Sequence, residues 1–232
     1  MEPGKVENGG PPGHEPQDPF ASARRRMVDE QLIARGIRDP RVLEAMASVP
    51  RHRFVDPGLE HRAYGDHALP AGEGQTISQP FIVARMLELA QLDPGHRVLE
   101  IGTGTGYQTA LLSALVERVF SVERKASLLR AAQRRLDALG IRNVALRHGD
   151  GTLGWQEFAP YDRVVVAAAA PRVPDALWSQ LGERGLMVIP VGGPQLQHLE
   201  VCSRSADGQM QQRNCGECRF VPLVGRDAWR EE

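Results

Sequence analysis

With 232 residues, 41% hydrophobic and 25% charged, the chain is long enough for one well-buried α/β core and too short for two ordinary domains plus a tail. A formal net charge of -1 gives no global basic field, and no run of uncharged apolar residues approaches membrane-span length. Nucleic-acid and membrane partners are therefore not expected, and in the absence of a basic-then-apolar leader with a small-residue cleavage site a cytoplasmic monomer is.

Met1 to Ser22 contain Gly9-Gly10-Pro11-Pro12-Gly13, further prolines and almost no large aliphatics, a composition that predicts a disordered tail, with one domain over 23–232. From Ala23 the pattern is helical, with Val28, Leu32 and Ile33 on one face and Gly36 as a stop. Asp39-Pro40 caps a second helix carrying Val42, Leu43, Met46 and Val49. Tyr64 to Gln79 reads as loop or short irregular strand. Ser78 is the expected N-cap of a third helix, whose buried stripe is Ile82, Val83, Met86, Leu87 and Ala90. These elements make an amino-terminal subregion over 23–95.

A core over 96–194 follows, in which strands at Arg97 to Ile101, Val119 to Glu123, Val144 to Arg147, Arg163 to Ala167 and Leu186 to Val191 alternate with helices. That alternation predicts a doubly wound, mostly parallel sheet. Past Gly192-Gly193-Pro194, over 195–232, strands at His198 to Ser205, Met210 to Arg213 and Arg219 to Leu223 are separated by turns at Asp207-Gly208 and Cys215-Gly216, and an antiparallel edge is expected. The cysteines, Cys202, Cys215 and Cys218, are odd in number, which argues against a disulfide framework. Cys215 and Cys218 have C-x-x-C spacing without a second ligand pair, and the histidines are scattered, so no metal is expected.

The most informative segment is Val98-Leu99-Glu100-Ile101-Gly102-Thr103-Gly104-Thr105-Gly106-Tyr107, a buried strand running into a glycine-rich turn and then a helix. Such a turn lets the backbone approach a ligand at the carboxyl end of a strand, where open α/β sheets bind cofactors. The dinucleotide fingerprint is G-x-G-x-x-G; here the third glycine comes one position early at Gly106, and Tyr107 stands where the fingerprint needs glycine. Pyrophosphate is thereby disfavoured.

The E-x-G-x-G-x-G form resembles motif I of the class I methyltransferases, whose cofactor is S-adenosylmethionine. Five further stretches resemble the protein-L-isoaspartate O-methyltransferases: Gln75-Thr76-Ile77-Ser78-Gln79-Pro80, Ala63 to Pro70, Pro160 to Arg163, Ala167 to Pro171 and Phe220 to Leu223. The resemblance runs from about Met27 to Trp229. It implies a Rossmann-like methyltransferase fold, with Gln75, Thr76, Ile77 and Ser78 closing over the cofactor and Glu100, Gly102, Gly104, Thr105, Glu123, Asp150 and Gly151 in contact with it. Ser78, as the catalytic residue, would meet the substrate carboxylate, and Val221 would bind substrate through its backbone, beside which an extended peptide could lie. Animal members of the family carry a histidine where Val83 stands and a threonine near Val224, so side-chain contacts from those places are not carried over.

The implied activity is methyl transfer to the free α-carboxylate of L-isoaspartyl residues in damaged proteins and peptides, which initiates repair through a succinimide. The alternatives are a relative that methylates an ordinary aspartate in a dedicated peptide, a non-catalytic S-adenosylmethionine-binding module, and, more remotely, a nicotinamide dehydrogenase.

Overall fold

The computed structural model describes residues 18–205 and 207–230. Its frame is a seven-stranded sheet. Strands β3 (Arg97–Ile101), β4 (Arg118–Glu123), β5 (Val144–His148), β6 (Tyr161–Val166) and β7 (Leu181–Gly192) run parallel, and β8 (Gln197–Arg204) and β9 (Met210–Cys218) are antiparallel, in the order β5-β4-β3-β6-β7-β8-β9. The chain leaves β3 on one side to build β4 and β5, then crosses back to place β6 on the other. A crevice therefore opens at the carboxyl end of β3, as it does wherever strand order reverses in an open α/β sheet.

Period-two alternation sorts the central strands between two cores. Val98, Val119, Val165 and Val188 face one core, with the helices α2 (Pro40–Ser48), α3 (Pro80–Leu89) and α4 (Tyr107–Leu115). Leu99, Ile101, Phe120, Val122, Val164, Val166, Met187 and Ile189 face the other, which holds Leu177 of α6 (Asp175–Ser179). Glu100 shares a face with Val98 and pairs in register with Ser121, so the alternation drives a carboxyl group into the apolar layer under α4. α5 (Ala126–Ala138) follows β4 and ends where Gly140 turns left-handed, at φ 71°.

The amino-terminal helix differs from its sequence reading in two ways. α1 (Ala21–Arg26) starts before Ala23, Phe20 stacks on His52 with ring centroids 4.4 Å apart, and Arg24 pairs with Asp18 at 2.7 Å. Within the expected tail, Asp18 and Phe20 thus contact the body of the fold while Pro19, Ala21 and Ser22 stay exposed; Met1 to Gln17 lie outside the described residues. α1 then passes into a π-helical stretch, Met27–Leu32, and a 3₁₀ turn, Ile33–Arg35. The wider π turn shifts the phase of the apolar face, so Met27, Val28 and Leu32 are buried while Ile33 is exposed.

Within Tyr64 to Gln79, strands β1 (Leu69–Gly72) and β2 (Gln75–Ile77) form an antiparallel hairpin. Ser78 does not cap α3. Gln79 holds the cap position without a side-chain bond, because Pro80 takes the first helical position and sets the residue directly before it, not Ser78, in the extended geometry of a cap. At the other end, Cys215 and Gly216 lie inside β9, at a register shift against β8 that Gly216 accommodates with φ 114°.

Arg219 to Leu223, expected as an edge strand, instead leaves the sheet edge and returns to the carboxyl end of β6. Ala169 N–H donates to the Val221 carbonyl and Leu223 N–H to the Ala169 carbonyl, each at 2.8 Å. Buried Gln197 of β8 holds the segment, accepting from Phe220 N–H at 2.7 Å and donating to its carbonyl at 3.2 Å. No helix among the described residues is long and apolar enough to cross a membrane.

Candidate active site

A cavity of about 320 Å³ occupies the crevice at the end of β3, a volume within the range of small-molecule sites. The glycine turn makes its floor. Gly102 and Gly104 have φ of 93° and 55°, and a Cβ on Gly104 would meet no protein atom within 4 Å, so the turn presents bare backbone to the open space. Gly151, beyond β5, also lines the cavity, and a Cβ there would lie 2.5 Å from Ile101 Cγ2, which requires glycine for that close approach.

Glu123, the last residue of β4, is buried in the wall. Its Oε2 accepts from Gly104 N–H at 2.8 Å and its Oε1 from Lys125 N–H at 2.9 Å, which orients the carboxylate and ties the glycine turn to β4. Lone pairs remain on both oxygens for hydroxyl donors.

The β1–β2 hairpin forms the roof. Its tip, Gly72-Glu73-Gly74, has positive φ at all three residues and reaches α5, where the Ser127 hydroxyl donates to Glu73 Oε1 at 2.9 Å. Gln75, Thr76, Ile77 and Ser78 follow along the cavity. The Ser78 hydroxyl makes no hydrogen bond within the described residues, although its carbonyl accepts from Arg51 Nη2 at 2.8 Å. Val221, Val224 and Val83 also line the cavity. Among the described residues, Val221 N–H and the Pro222 carbonyl have no hydrogen-bond partner. The Phe220 groups are taken by Gln197, so a peptide beside Phe220 to Leu223 would find only those two main-chain groups of the stretch open, fewer than a free edge offers.

Two expected cofactor contacts do not line the cavity. Glu100 is 0% exposed and accepts from Gln108 Nε2 at 3.2 Å, Thr109 Oγ1 at 2.5 Å and Ser121 Oγ at 2.6 Å, fastening β3 to α4 and β4. Burial raises its pKa to about 7 against the pull of those donors, and the Glu123 charge adds to the rise. Asp150 turns to its own loop, accepting from Thr152 N–H at 2.9 Å, Thr152 Oγ1 at 2.7 Å and Arg226 N–H at 2.8 Å. Partial burial pushes its pKa up, but these donors prevail and hold it below the usual value. Sequence reasoning missed Glu73, Gln108, Arg124, Lys125 and Ala168 in the lining. Arg124 and Lys125 were signalled by their place directly after a strand whose carboxyl end carries the acid.

A glycine turn without pyrophosphate spacing, a carboxylate in the cavity wall at the end of the next strand and a doubly wound sheet define a Rossmann-like methyltransferase. Within that class, residues 23–228 match the family model described as protein-L-isoaspartate(D-aspartate) O-methyltransferase, and the chain belongs to this family. A protein-L-isoaspartate O-methyltransferase of Koribacter versatilis is 53% identical over 210 residues, covering 90% of this chain and 94% of the relative. A solved protein-L-isoaspartate O-methyltransferase superposes with TM-score 0.78 at 32% identity, covering 88% of this chain and 67% of that one. A putative protein-L-isoaspartate O-methyltransferase of Plasmodium falciparum, in complex with S-adenosyl-L-homocysteine, shares the fold with TM-score 0.76 at 24% identity, covering 87% and 98% of the two chains.

Proposed function

We propose that the chain transfers the methyl group of S-adenosylmethionine to the free α-carboxylate of L-isoaspartyl residues in damaged proteins and peptides. The observation that carries this is one cavity lined both by the Gly102–Thr105 turn with Glu123 and by Ser78 and Val221, whose hydroxyl and N–H have no hydrogen-bond partner among the described residues.

S-adenosylmethionine supplies a methyl group activated by a sulfonium charge. Gly102, Gly104, Thr105 and Gly151 would receive it, and Glu123 would accept its ribose hydroxyls. Ser78 Oγ and Val221 N–H would donate to the substrate carboxylate and aim one of its oxygens at the methyl carbon. The C–O bond forms as the C–S bond breaks, with the electron pair passing to sulfur.

No base is required. A peptide carboxylate has a reference pKa of roughly 3.3–4.3, so the nucleophile is ionised at neutral pH. Glu100, whose pKa burial raises to about 7, lies outside the cavity. Charge is neutralised in the transition state, which a cavity closed by the hairpin favours, and alignment with attacking oxygen and methyl carbon about 3–3.5 Å apart dominates the barrier. The ester then cyclises to a succinimide, whose hydrolysis returns some normal aspartate.

The reading also takes the protein as a cytoplasmic monomer acting on proteins and peptides rather than nucleic acid. Three free cysteines fit a reducing compartment, and the exposed large apolar residues Ile33, Leu153 and Leu196 sit on separate elements. The test is base-labile methanol release from matched peptides containing isoaspartate or aspartate. Turnover on the iso-linked peptide alone is expected; turnover on the normal peptide alone refutes the substrate assignment.

A further inference from the structure

Arg51 opens a 3₁₀ turn (Arg51–Phe54) after α2 and is among the largest fully buried side chains of the described residues, with 0% exposure. Its Nε donates to the Ala63 carbonyl at 2.7 Å and its Nη2 to the Ser78 carbonyl at 2.8 Å, and the guanidinium carbon lies 4.8 Å from the centroid of the Tyr107 ring. Nη1 is buried with no hydrogen-bond partner. No carboxylate among the described residues bonds to it.

A guanidinium stays charged when buried, and a buried charge without a counter-ion is among the most costly arrangements a core can hold. Two carbonyls and a ring face supply only partial negative charge. If the position served packing alone, an apolar side chain of similar length would fill it at lower cost. The charge sits directly behind Ser78 and against Tyr107, two residues that line the active cavity, while Arg51 itself does not. The full negative charge that the proposed reaction brings to the Ser78 hydroxyl is the substrate carboxylate, whereas the cofactor's carboxylate is balanced by its own ammonium group.

We propose that Arg51 is a positioning residue that fixes Ser78 through its carbonyl and supplies the uncompensated positive charge matched by the isoaspartyl carboxylate. This rests on the function proposed above. Acting through the Ser78 backbone and the Tyr107 ring, it favours an anionic ligand over a neutral one of the same shape, which a purely structural side chain would not do.

The test uses the full chain saturated with S-adenosylhomocysteine and two peptides of one sequence, one isoaspartyl and one with the free carboxylate replaced by a carboxamide. Calorimetry should show the wild type preferring the carboxylate at least tenfold. Arg51→Met should lose that preference and raise KM more than it lowers kcat, with the S-adenosylhomocysteine Kd changed less than threefold. Arg51→Lys, which keeps the charge, should retain the preference within about threefold. A wild type indifferent to the carboxamide, or a lysine variant that has lost the preference, overturns the proposal even if Arg51→Met fails to fold. So does an Arg51→Met variant that keeps the preference, or one that weakens both peptides and S-adenosylhomocysteine equally. A wild type without turnover on isoaspartyl peptide removes the functional reading itself, whereas an active wild type with any of those outcomes removes only the role of Arg51.

Discussion

Replacing Glu100 with glutamine isolates the cost of ionising a carboxyl group inside the core. In the folded protein its pKa is raised from 4.5 to about 7, chiefly by burial. Below pH 4.5 the group is protonated in both folded and unfolded states and costs nothing. Between 4.5 and about 7 the unfolded chain has released the proton while the folded chain keeps it, so stability falls as pH rises; above about 7 both are ionised and the loss is complete. One pKa unit corresponds to about 1.36 kcal/mol, which makes the full loss about 3 kcal/mol and the part falling between pH 5 and 8 about 2.5 kcal/mol. Glu100→Gln cannot titrate. Its stability relative to wild type should therefore improve by about 2.5 kcal/mol from pH 5 to pH 8, measured by urea unfolding at each pH. Any constant penalty from seating the amide among Ser121, Thr109 and Gln108 cancels in that difference. A wild-type-minus-variant difference that stays flat across this range would refute the argument that Glu100 holds its proton in the fold. Because Glu100 lies outside the cavity, kcat at saturating substrates should remain nearly flat from pH 6 to 8 in both proteins, and a steep rise through pH 7 in both would show that the reaction needs a titrating base.

Ser78→Ala should leave the melting temperature almost unchanged, since the hydroxyl neither caps α3 nor bonds within the described residues, yet remove most turnover while S-adenosylhomocysteine still binds. Glu123→Ala should weaken cofactor binding by about 1.5–3 kcal/mol, the range for hydrogen bonds to a charged group, and an unchanged Kd by calorimetry would sink the assignment. Gln197→Leu should strand the Phe220 N–H and carbonyl at about 1–3 kcal/mol of stability and raise the peptide KM, checked by unfolding and steady-state rates. Deleting Met1 to Gln17 should leave activity intact, whereas deleting through Ser22 should lower the melting temperature by removing the Phe20–His52 stack and the Asp18–Arg24 pair.

The sequence by itself determined the alternation of strands and helices over 96–194, the glycine turn at the end of β3 and Glu123 at the end of β4, and the family resemblance singled out Gln75 to Ser78, which line the cavity. The first three are written in contiguous residues, as apolar period or glycine spacing, and local physics reads them without knowing the rest of the fold. Only the tertiary structure decided which carboxylates reach the cavity. Glu100 and Glu123 both occupy positions next to the glycine turn, but pairing of Glu100 with Ser121 under α4 buries one and leaves the other in the wall. Asp150 was diverted by Arg226, 76 residues away in the chain. The return of Phe220 to Leu223 likewise depends on Gln197 and Ala169, and the placement of Ser78 on Arg51, 27 residues before it. Such contacts carry no local period, because the partner that satisfies a buried polar group is chosen by where the folded sheet and helices bring distant segments together.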